Sequence, residues 1–340
     1  MSRVSTRGLG EARKVIIGVD VGGTTTAAGL VSPDGQVVVE ERAATHARGP
    51  GTAVDTIVGL IESVLGNAVG RGLDILGIGL GVPGIVDAAR GRIGVEVPHV
   101  PELAGQPLAR VIAERFGLPA FVDNDVNALA LSEWTFGEAR GARSLVLLAL
   151  GTGLGGGIVL EGRLVRGAAG FGGELGHSPV KFDGRPCWCG GRGCLAVYAS
   201  GRGIAEAARA RVAGHPGEAL LTAAGGDLMK ITAPVVFSAA AEKDPIATAV
   251  VEEACQALGA MIGVIVNGLN PEVVVVTGGV AASLVPLETQ VLRAAGEFAF
   301  SRALAQTRVR ILPGEKRFTV RGGAALVLYE TASRREPREP

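Results

Sequence analysis

A chain of 340 residues is long enough for two ordinary domains, each with its own core. With 47% hydrophobic and 19% charged residues it is a folding chain and not a disordered one. A formal net charge of zero and lysines only at 14, 181, 230, 243 and 316 argue against nucleic acid as a partner.

The 53 glycines are about twice the ordinary ~7% share. They fall at strand ends, which predicts tight turns and close backbone approaches. The polar start MSRVSTRGLGEARK carries no secretory signal. The most apolar long segment, 257–269, is too short to span a bilayer and predicts a buried helix. Four cysteines, three of them clustered, do not form a secreted disulfide framework. The expectation is a soluble cytoplasmic protein with no membrane partner.

In chain order, KVIIGVDVGG (14–23) predicts a buried strand ending in a glycine turn. TTTAAGLV (24–31) predicts a second strand, SPDG (32–35) a turn and QVVVEERA (36–43) a third strand. Residues 52–69 have helical periodicity, and 75–84 and 119–125 read as strands running into loops. The middle repeats the opening: SLVLLALGTG (144–153), then GGGIVLEGRLV (155–165) with a tight turn at Glu161-Gly162. A third strand–glycine unit, PEVVVVTGGVAAS (271–283), runs into helix. Two copies about 130 residues apart predict two similar α/β lobes facing a cleft.

GTGLGGG (151–157) contains a G-x-G-x-x-G, but strand follows it where the dinucleotide fingerprint needs a helix. A Rossmann site is therefore rejected, and no P-loop pattern exists. The alternative is a pair of hairpin turns whose N–H groups and Thr hydroxyls hold phosphate oxygens. Gly22, Gly23 and Thr24 form one jaw; Gly151, Thr152, Gly153 and Gly155 form the other. Asp20, ending the first strand, is placed to hold Mg²⁺ through water. Taken singly, either glycine run is equally consistent with a plain turn.

FVDNDVNALALSEW (121–134) sets Asp123, Asn124 and Asp125 between a strand and a helix. One of them suffices as N-cap. A carboxylate beside the phosphate turns can also accept the proton of a substrate hydroxyl. Asp125 is the candidate base, and Asn124 a candidate substrate contact. Cys187, Cys189 and Cys194 lie within eight residues, with His177 ten residues upstream. That Cys₃His set suits a structural, tetrahedral Zn²⁺, although a redox pair or unrelated buried thiols fit the spacing too. Glu174 and His177 are three apart and can aim the same way. The imidazole nitrogen not on zinc is free for a substrate hydroxyl. Cys255 reads as a core residue.

Seven motifs together resemble the ROK family of bacterial sugar kinases and sugar-responsive repressors. They are DVGGTT (20–25), GVPGIVD (81–87), VDNDVNALA (122–130), LGTGLGGG (150–157), GELGH (173–177), CWCGGRGC (187–194) and LNPEVVVVTGGV (269–280). The resemblance covers roughly residues 15–330. It implies an actin-like ATPase (hexokinase-type) fold with two similar α/β domains around a central cleft, ATP between them and a hexose deep in the cleft. By this resemblance Asp125 deprotonates the 6-hydroxyl, and Gly84, Asn124, Glu174 and His177 contact sugar. His177, Cys187, Cys189 and Cys194 bind zinc. Thr25 stands at the first phosphate turn, where the family commonly has Lys, and Gly278 and Gly279 belong to an adenine-side loop.

The implied domains are an N-terminal tail over 1–14, a small domain over 15–125, a large domain over 126–319 with a zinc loop at 177–194, and a tail over 333–340. A C-terminal helix near 320–332 returns to the small domain. A homodimer or homotetramer is implied as well.

The family pattern after the last cysteine runs Cys-x-Glu, a sugar ligand near the anomeric carbon; this chain has Ala196 there. A lost charged hydrogen bond of that kind is worth ~1.5–3 kcal/mol. An amino sugar or C7-cyclitol acceptor is therefore an alternative, as is a catalytically silent sugar-binding regulator. Polyphosphate remains an alternative donor. The family's Asn-Leu sugar contact is not evident in EVPHVPELAG (96–105). A DNA-binding repressor is not expected, because a helix-turn-helix needs more than the 14 residues before Val15.

Overall fold

The computed structural model describes residues 13–97, 99–213, 219–314 and 319–333. The expected tails, apart from Arg13, Lys14 and Ser333, lie outside them. The chain divides into two compact units, Met1–Ala128 with Arg317–Pro340, and Leu129–Lys316.

The first unit opens with β1 (Lys14–Val21), β2 (Thr25–Val31) and β3 (Val37–Ala44). Helix α1 (Ala53–Gly70), β4 (Asp74–Val82), a short ladder of β5 (Val86–Asp87) with β6 (Arg92–Ile93), α2 (Leu108–Phe116) and β7 (Ala120–Asn124) follow. Helix α3 (Asp125–Phe136) begins here and carries the chain into the second unit. The second unit contains β8 (Leu145–Leu150), β9 (Leu154–Leu160) and β10 (Arg163–Leu164), then α4 (Ala196–Ala199), α5 (Gly201–Val212), α6 (Ala219–Ala223), α7 (Ala233–Ala241) and α8 (Pro245–Leu269). Strand β11 (Val273–Thr277), α9 (Ala281–Leu284), α10 (Glu288–Phe298), α11 (Ser301–Leu304) and β12 (Arg308–Ile311) complete it. Helix α12 (Val320–Ser333) returns to the first unit.

The two sheets have one topology. The first runs β3-β2-β1-β4-β7 and the second β10-β9-β8-β11-β12. In each, an antiparallel three-strand meander joins two further strands that run parallel to its first strand. The repeat read in the sequence is thus a repeat of pairing. Strand β11 is valine on both faces and wholly buried, as a parallel strand covered on both sides must be. Strand β3 is only partly buried and carries Glu40, Glu41 and Arg42, which suits an edge.

Helix α8 begins at Pro245, with Asp244 capping the Ala247 N–H at 2.8 Å, and ends on Asn270 in the left-handed region. Helices α1 and α8 are both long and apolar enough to cross a membrane, but 72% of the α8 window is buried. It forms core with Met261, Ile262, Ile265 and Cys255. Helix α1 is held at its start by Glu102, whose carboxylate accepts from the Ala53 N–H at 3.2 Å and pairs with His46 at 2.8 Å.

Helix α12 lies against β1 and β4 with nothing between the backbones. A methyl at Gly18 would run into the Val320 carbonyl oxygen, and one at Gly79 into that of Gly323. Glycine is required there for want of space, and the contact brings α12 onto the strands that end in site residues. Gly79→Ala is expected to destabilise the first unit by roughly 1–3 kcal/mol through overpacking. Thermal or denaturant unfolding would show an earlier transition; an unchanged transition would mean the helix is not seated on the sheet in this way.

Candidate active site and metal centre

Parallel strands end at the same edge of a sheet, and that edge is where open α/β sheets bind ligands. In the first unit β1, β4 and β7 bring Asp20, Gly84, Asn124 and Asp125 to it. Asp20 pairs in register with Gly81, Gly81 with Asp123 and Val82 with Asn124. The β1–β2 turn stands at the same edge, closed by the Gly22 N–H on the Thr25 carbonyl at 3.0 Å. Thr24 and Thr25 are exposed there. Buried Thr45 braces the turn from below. Its hydroxyl donates to the Gly22 carbonyl at 2.6 Å, and its N–H to the Thr24 carbonyl at 3.0 Å.

Asp20 is half-buried. Burial raises its carboxyl above the ordinary value, against a hydrogen bond from the Thr319 side chain and the charge of Arg42. Mg²⁺ is ordinarily held by one or two carboxylates and several waters, and Asp20 beside the glycine turn is a candidate for such a carboxylate.

The cap of α3 is Asn124. Its Oδ1 accepts from the N–H groups of Val126 at 2.9 Å and Asn127 at 3.2 Å. Its Nδ2 donates to the Gly84 carbonyl at 3.0 Å. One amide hydrogen of Asn124 is left for a substrate, while the rest of the side chain ties the Gly84 loop to the helix start. Asp123 is buried and binds the Asn124 N–H and the Asn127 side chain at 2.8 and 2.9 Å. Asp125, half-buried, is the first residue of α3. Gly81 lies below it, where a methyl would sit 3.3 Å from the Asp125 Cα.

The sequence reading left one neighbour out. His99 is exposed, has φ 70 and packs on the β1–β2 turn; a methyl at Gly23 would sit 2.7 Å from its Cβ. A left-handed non-glycine residue is a costly conformation that tends to occur at functional positions. The only local sign of it is a histidine bracketed by Pro98 and Pro101.

The second unit repeats the arrangement. The β8–β9 turn is closed by the Gly151 N–H on the Gly153 carbonyl at 3.0 Å, with Gly151, Thr152 and Gly153 exposed. Gly155 lies in β9 opposite Ala149. The start of α5 holds the turn's carbonyls: Gly201 N–H to Gly151 at 2.9 Å and Arg202 N–H to Thr152 at 3.0 Å. The Gly278-Gly279 loop follows β11 and joins the same turn, because the Val280 N–H donates to the Leu150 carbonyl at 3.0 Å. Gly278 has φ 106 and leaves no room for a side chain against Leu150.

Glu174 is exposed and His177 half-buried, on one turn joined by the His177 N–H to the Glu174 carbonyl at 3.0 Å. The turn is seated on β9 through glycines. A methyl at Gly156 would sit 2.6 Å from the Gly173 carbonyl, and one at Gly176 would overlap that of Leu154. Ala196 is buried in the core of this unit at the start of α4.

His177, Cys187, Cys189 and Cys194 offer ligand atoms that all lie within 4.8 Å of one another. A tetrahedral zinc with Zn–S ~2.3 Å and Zn–N ~2.05 Å has S–S edges of ~3.8 Å and S–N edges of ~3.6 Å. The Cys189–Cys194 sulfurs are 3.8 Å apart, and Cys187 Sγ is 3.5 Å from His177 Nδ1. The cluster therefore fits a tetrahedral ion bound through Nδ1, which leaves Nε2 of His177 off the ion. Burial and the adjacent Cys187 and Cys189 push the Cys194 thiol up to about 12 without a cation.

The sequence profile of the ROK family matches residues 16–330. A glucokinase of Halalkalibacterium halodurans is 37% identical over 269 residues, 78% of this chain and 80% of its own. A ROK family glucokinase from Streptomyces griseus, solved with glucose and AMPPNP, is 32% identical with TM-score 0.66, over 95% of this chain and 100% of its own. A ROK family transcriptional regulator, a homolog of the E. coli MLC protein, is 26% identical with TM-score 0.80, over 94% of this chain and 79% of its own.

Two outcomes follow from the geometry. Metal analysis of purified protein is expected to find zinc, and Cys189→Ser to lose it with a lower melting temperature; metal-free protein of unchanged stability would argue for inert thiols. Asp20→Asn is expected to raise thermal stability at neutral pH. A raised folded-state pKa means the cost of the carboxylate is complete above that pKa and vanishes below the unfolded value near ~4. The gain should therefore shrink as melts are taken down to that pH.

Proposed function

The chain belongs to the ROK family, and on that premise we propose that it is an ATP-dependent sugar kinase acting on the 6-hydroxyl of a hexose. The glucokinase relatives and the Streptomyces griseus structure with glucose and AMPPNP support the acceptor class and the donor. The observation that carries the reading is a shared topology with a glycine turn at the matching place in each sheet, while Asp125 opens the helix after the last strand of one of them.

In this reading the β1–β2 and β8–β9 turns hold phosphate oxygens through backbone N–H groups and threonine hydroxyls. Asp125 accepts the proton of the sugar's primary hydroxyl as that oxygen attacks the γ-phosphorus. The bond from phosphorus to the β–γ bridging oxygen breaks, and ADP leaves. Asp20 would hold Mg²⁺ through water, and the ion would supply positive charge for the phosphates. Asn124 fixes the Gly84 loop against the start of α3, and its remaining amide hydrogen binds sugar. Glu174 and Nε2 of His177 bind sugar hydroxyls, and His177, Cys187, Cys189 and Cys194 would hold a zinc ion that would fix the imidazole's tautomer. The cytoplasm, where ATP is found, is the proposed location.

Two observations favour a second reading for particular parts of this one. Ala196 presents a buried methyl where the family pattern has a carboxylate, which favours an amino sugar or cyclitol acceptor. The regulator among the similar structures favours a protein that binds sugar without turnover.

ADP release from Mg·ATP is measured across hexoses, amino sugars and cyclitols, with polyphosphate as a second donor. Turnover of glucose, abolished in Asp125→Asn by a factor of at least ~10² as for a lost general base, is the expected result. Turnover restricted to an amino sugar or cyclitol would assign a changed specificity to Ala196. Sugar binding with no ADP release from any acceptor would overturn the kinase reading in favour of the regulator.

A further inference from the structure

The metal loop and the second phosphate turn meet at one residue, Arg202. It is exposed, at the second position of α5. Its N–H donates to the Thr152 carbonyl at 3.0 Å, so its backbone is part of the wall of the turn. Its guanidinium carbon lies 4.4 Å from the centroid of the Trp188 ring, within cation–π range. Trp188 stands between two of the four metal-ligating residues, Cys187 and Cys189. Glu206, one turn on, holds the Arg202 Nε at 2.7 Å and keeps the planar group directed.

The chain makes the same connection covalently. The last metal-ligating residue, Cys194, leads through α4 directly to Ser200, which caps α5 by accepting from the Gly203 N–H at 3.0 Å. The two residues after the cap, Gly201 and Arg202, hold the turn's carbonyls. A methyl at Gly201 would sit 3.0 Å from the Gly151 oxygen, so helix and turn are already as close as backbones come. A displacement of the metal loop has two routes to the turn, the stack of Trp188 on Arg202 and the chain leading to Gly201 and Arg202.

We propose that Arg202 is a positioning residue through which the metal loop, by the stack of Trp188 on its guanidinium, sets the β8–β9 turn for a nucleotide phosphate. This rests on the reading of Gly151–Gly153 as a phosphate turn. An exposed aromatic side chain between two metal ligands then has a task. It transmits the rigidity of the metal centre to a glycine turn that has little of its own.

The experiment compares wild type, Arg202→Ala, Arg202→Lys, Trp188→Ala and the double alanine variant, all with zinc content measured. The readouts are AMPPNP affinity by calorimetry and KM for ATP and for sugar separately. Loss of an exposed cation–π contact predicts roughly two- to fivefold weaker AMPPNP binding and the same rise in KM for ATP. KM for sugar should stay unchanged. Arg202→Lys should recover part of the loss, since the cation remains without the planar stack. Trp188→Ala should reproduce Arg202→Ala, and the double variant should be no worse than either. With Trp134→Phe, Trp188 becomes the only tryptophan; its emission should change on adding AMPPNP, and not in Arg202→Ala.

Unchanged nucleotide constants in Arg202→Ala with zinc retained would overturn the proposal. So would fully additive losses in the double variant. If Trp188→Ala loses zinc, Arg202→Ala and Arg202→Lys decide. A wild type that binds AMPPNP but phosphorylates nothing defeats the kinase reading alone, and the positioning role of Arg202 is still read from affinity. A wild type that does not bind AMPPNP removes both.

Discussion

The parallel pairing of β1, β4 and β7 is the constraint from which the first unit's site follows. Parallel strands deliver their carboxyl ends to one edge, and at that edge the ladder stops. Backbone groups that lose their strand partners need others. The Gly22–Thr25 turn closes on itself, Thr45 takes up the Gly22 and Thr24 carbonyls, and Asn124 takes up the N–H groups at the start of α3. Each solution leaves polar groups facing out at neighbouring positions. The second sheet meets the same constraint with Gly151–Gly153, Gly278 and the first amides of α5. Two sheets of one pairing pattern thus arrive at corresponding glycine turns, for the same reason.

The long segment between β10 and α4 is a different problem. It has no ladder of length and only short helical turns to order it. Glycine contacts seat its first part on β9. Its second part is folded by the bonds Val180 N–H to Gly193 and Cys187 N–H to Gly191, both at 2.9 Å, around the four ligand atoms. Arg185 lies over the Tyr198 ring at 4.2 Å and reaches Glu253 of α8 at 3.4 Å. A cation bound there would supply what the segment's small apolar content does not. His177 belongs to the metal cluster and to the turn of Glu174, so ordering the metal loop also orders the candidate sugar contacts.

Much of this is local, and local features are legible. Alternation, glycine turns and the Glu161-Gly162 corner come from neighbouring residues, and the structure has strands and turns where they were expected, with ends moved by a residue or two. Cys255 is core, as read. The spacing of three cysteines and one histidine is also local, and a loop of that length is able to return those side chains to one point, as the structure does. The candidate base was legible as one of three polar residues at a strand end. Which of them caps the helix was not, because all three are competent caps and only the path of α3 selects Asn124.

The sequence by itself determined the pairing repeat, the two glycine turns, the grouping of His177 with three cysteines and the carboxylate that opens α3, because each is a pattern within a short stretch of chain. Only the tertiary structure decided that Thr45 braces the first turn, that His99 stands over Gly23, and that Arg202 joins Trp188 to Thr152. Those partners lie far apart along the chain. No local periodicity records them, because what brings them together is the order of strands in a sheet and the packing of helices upon it.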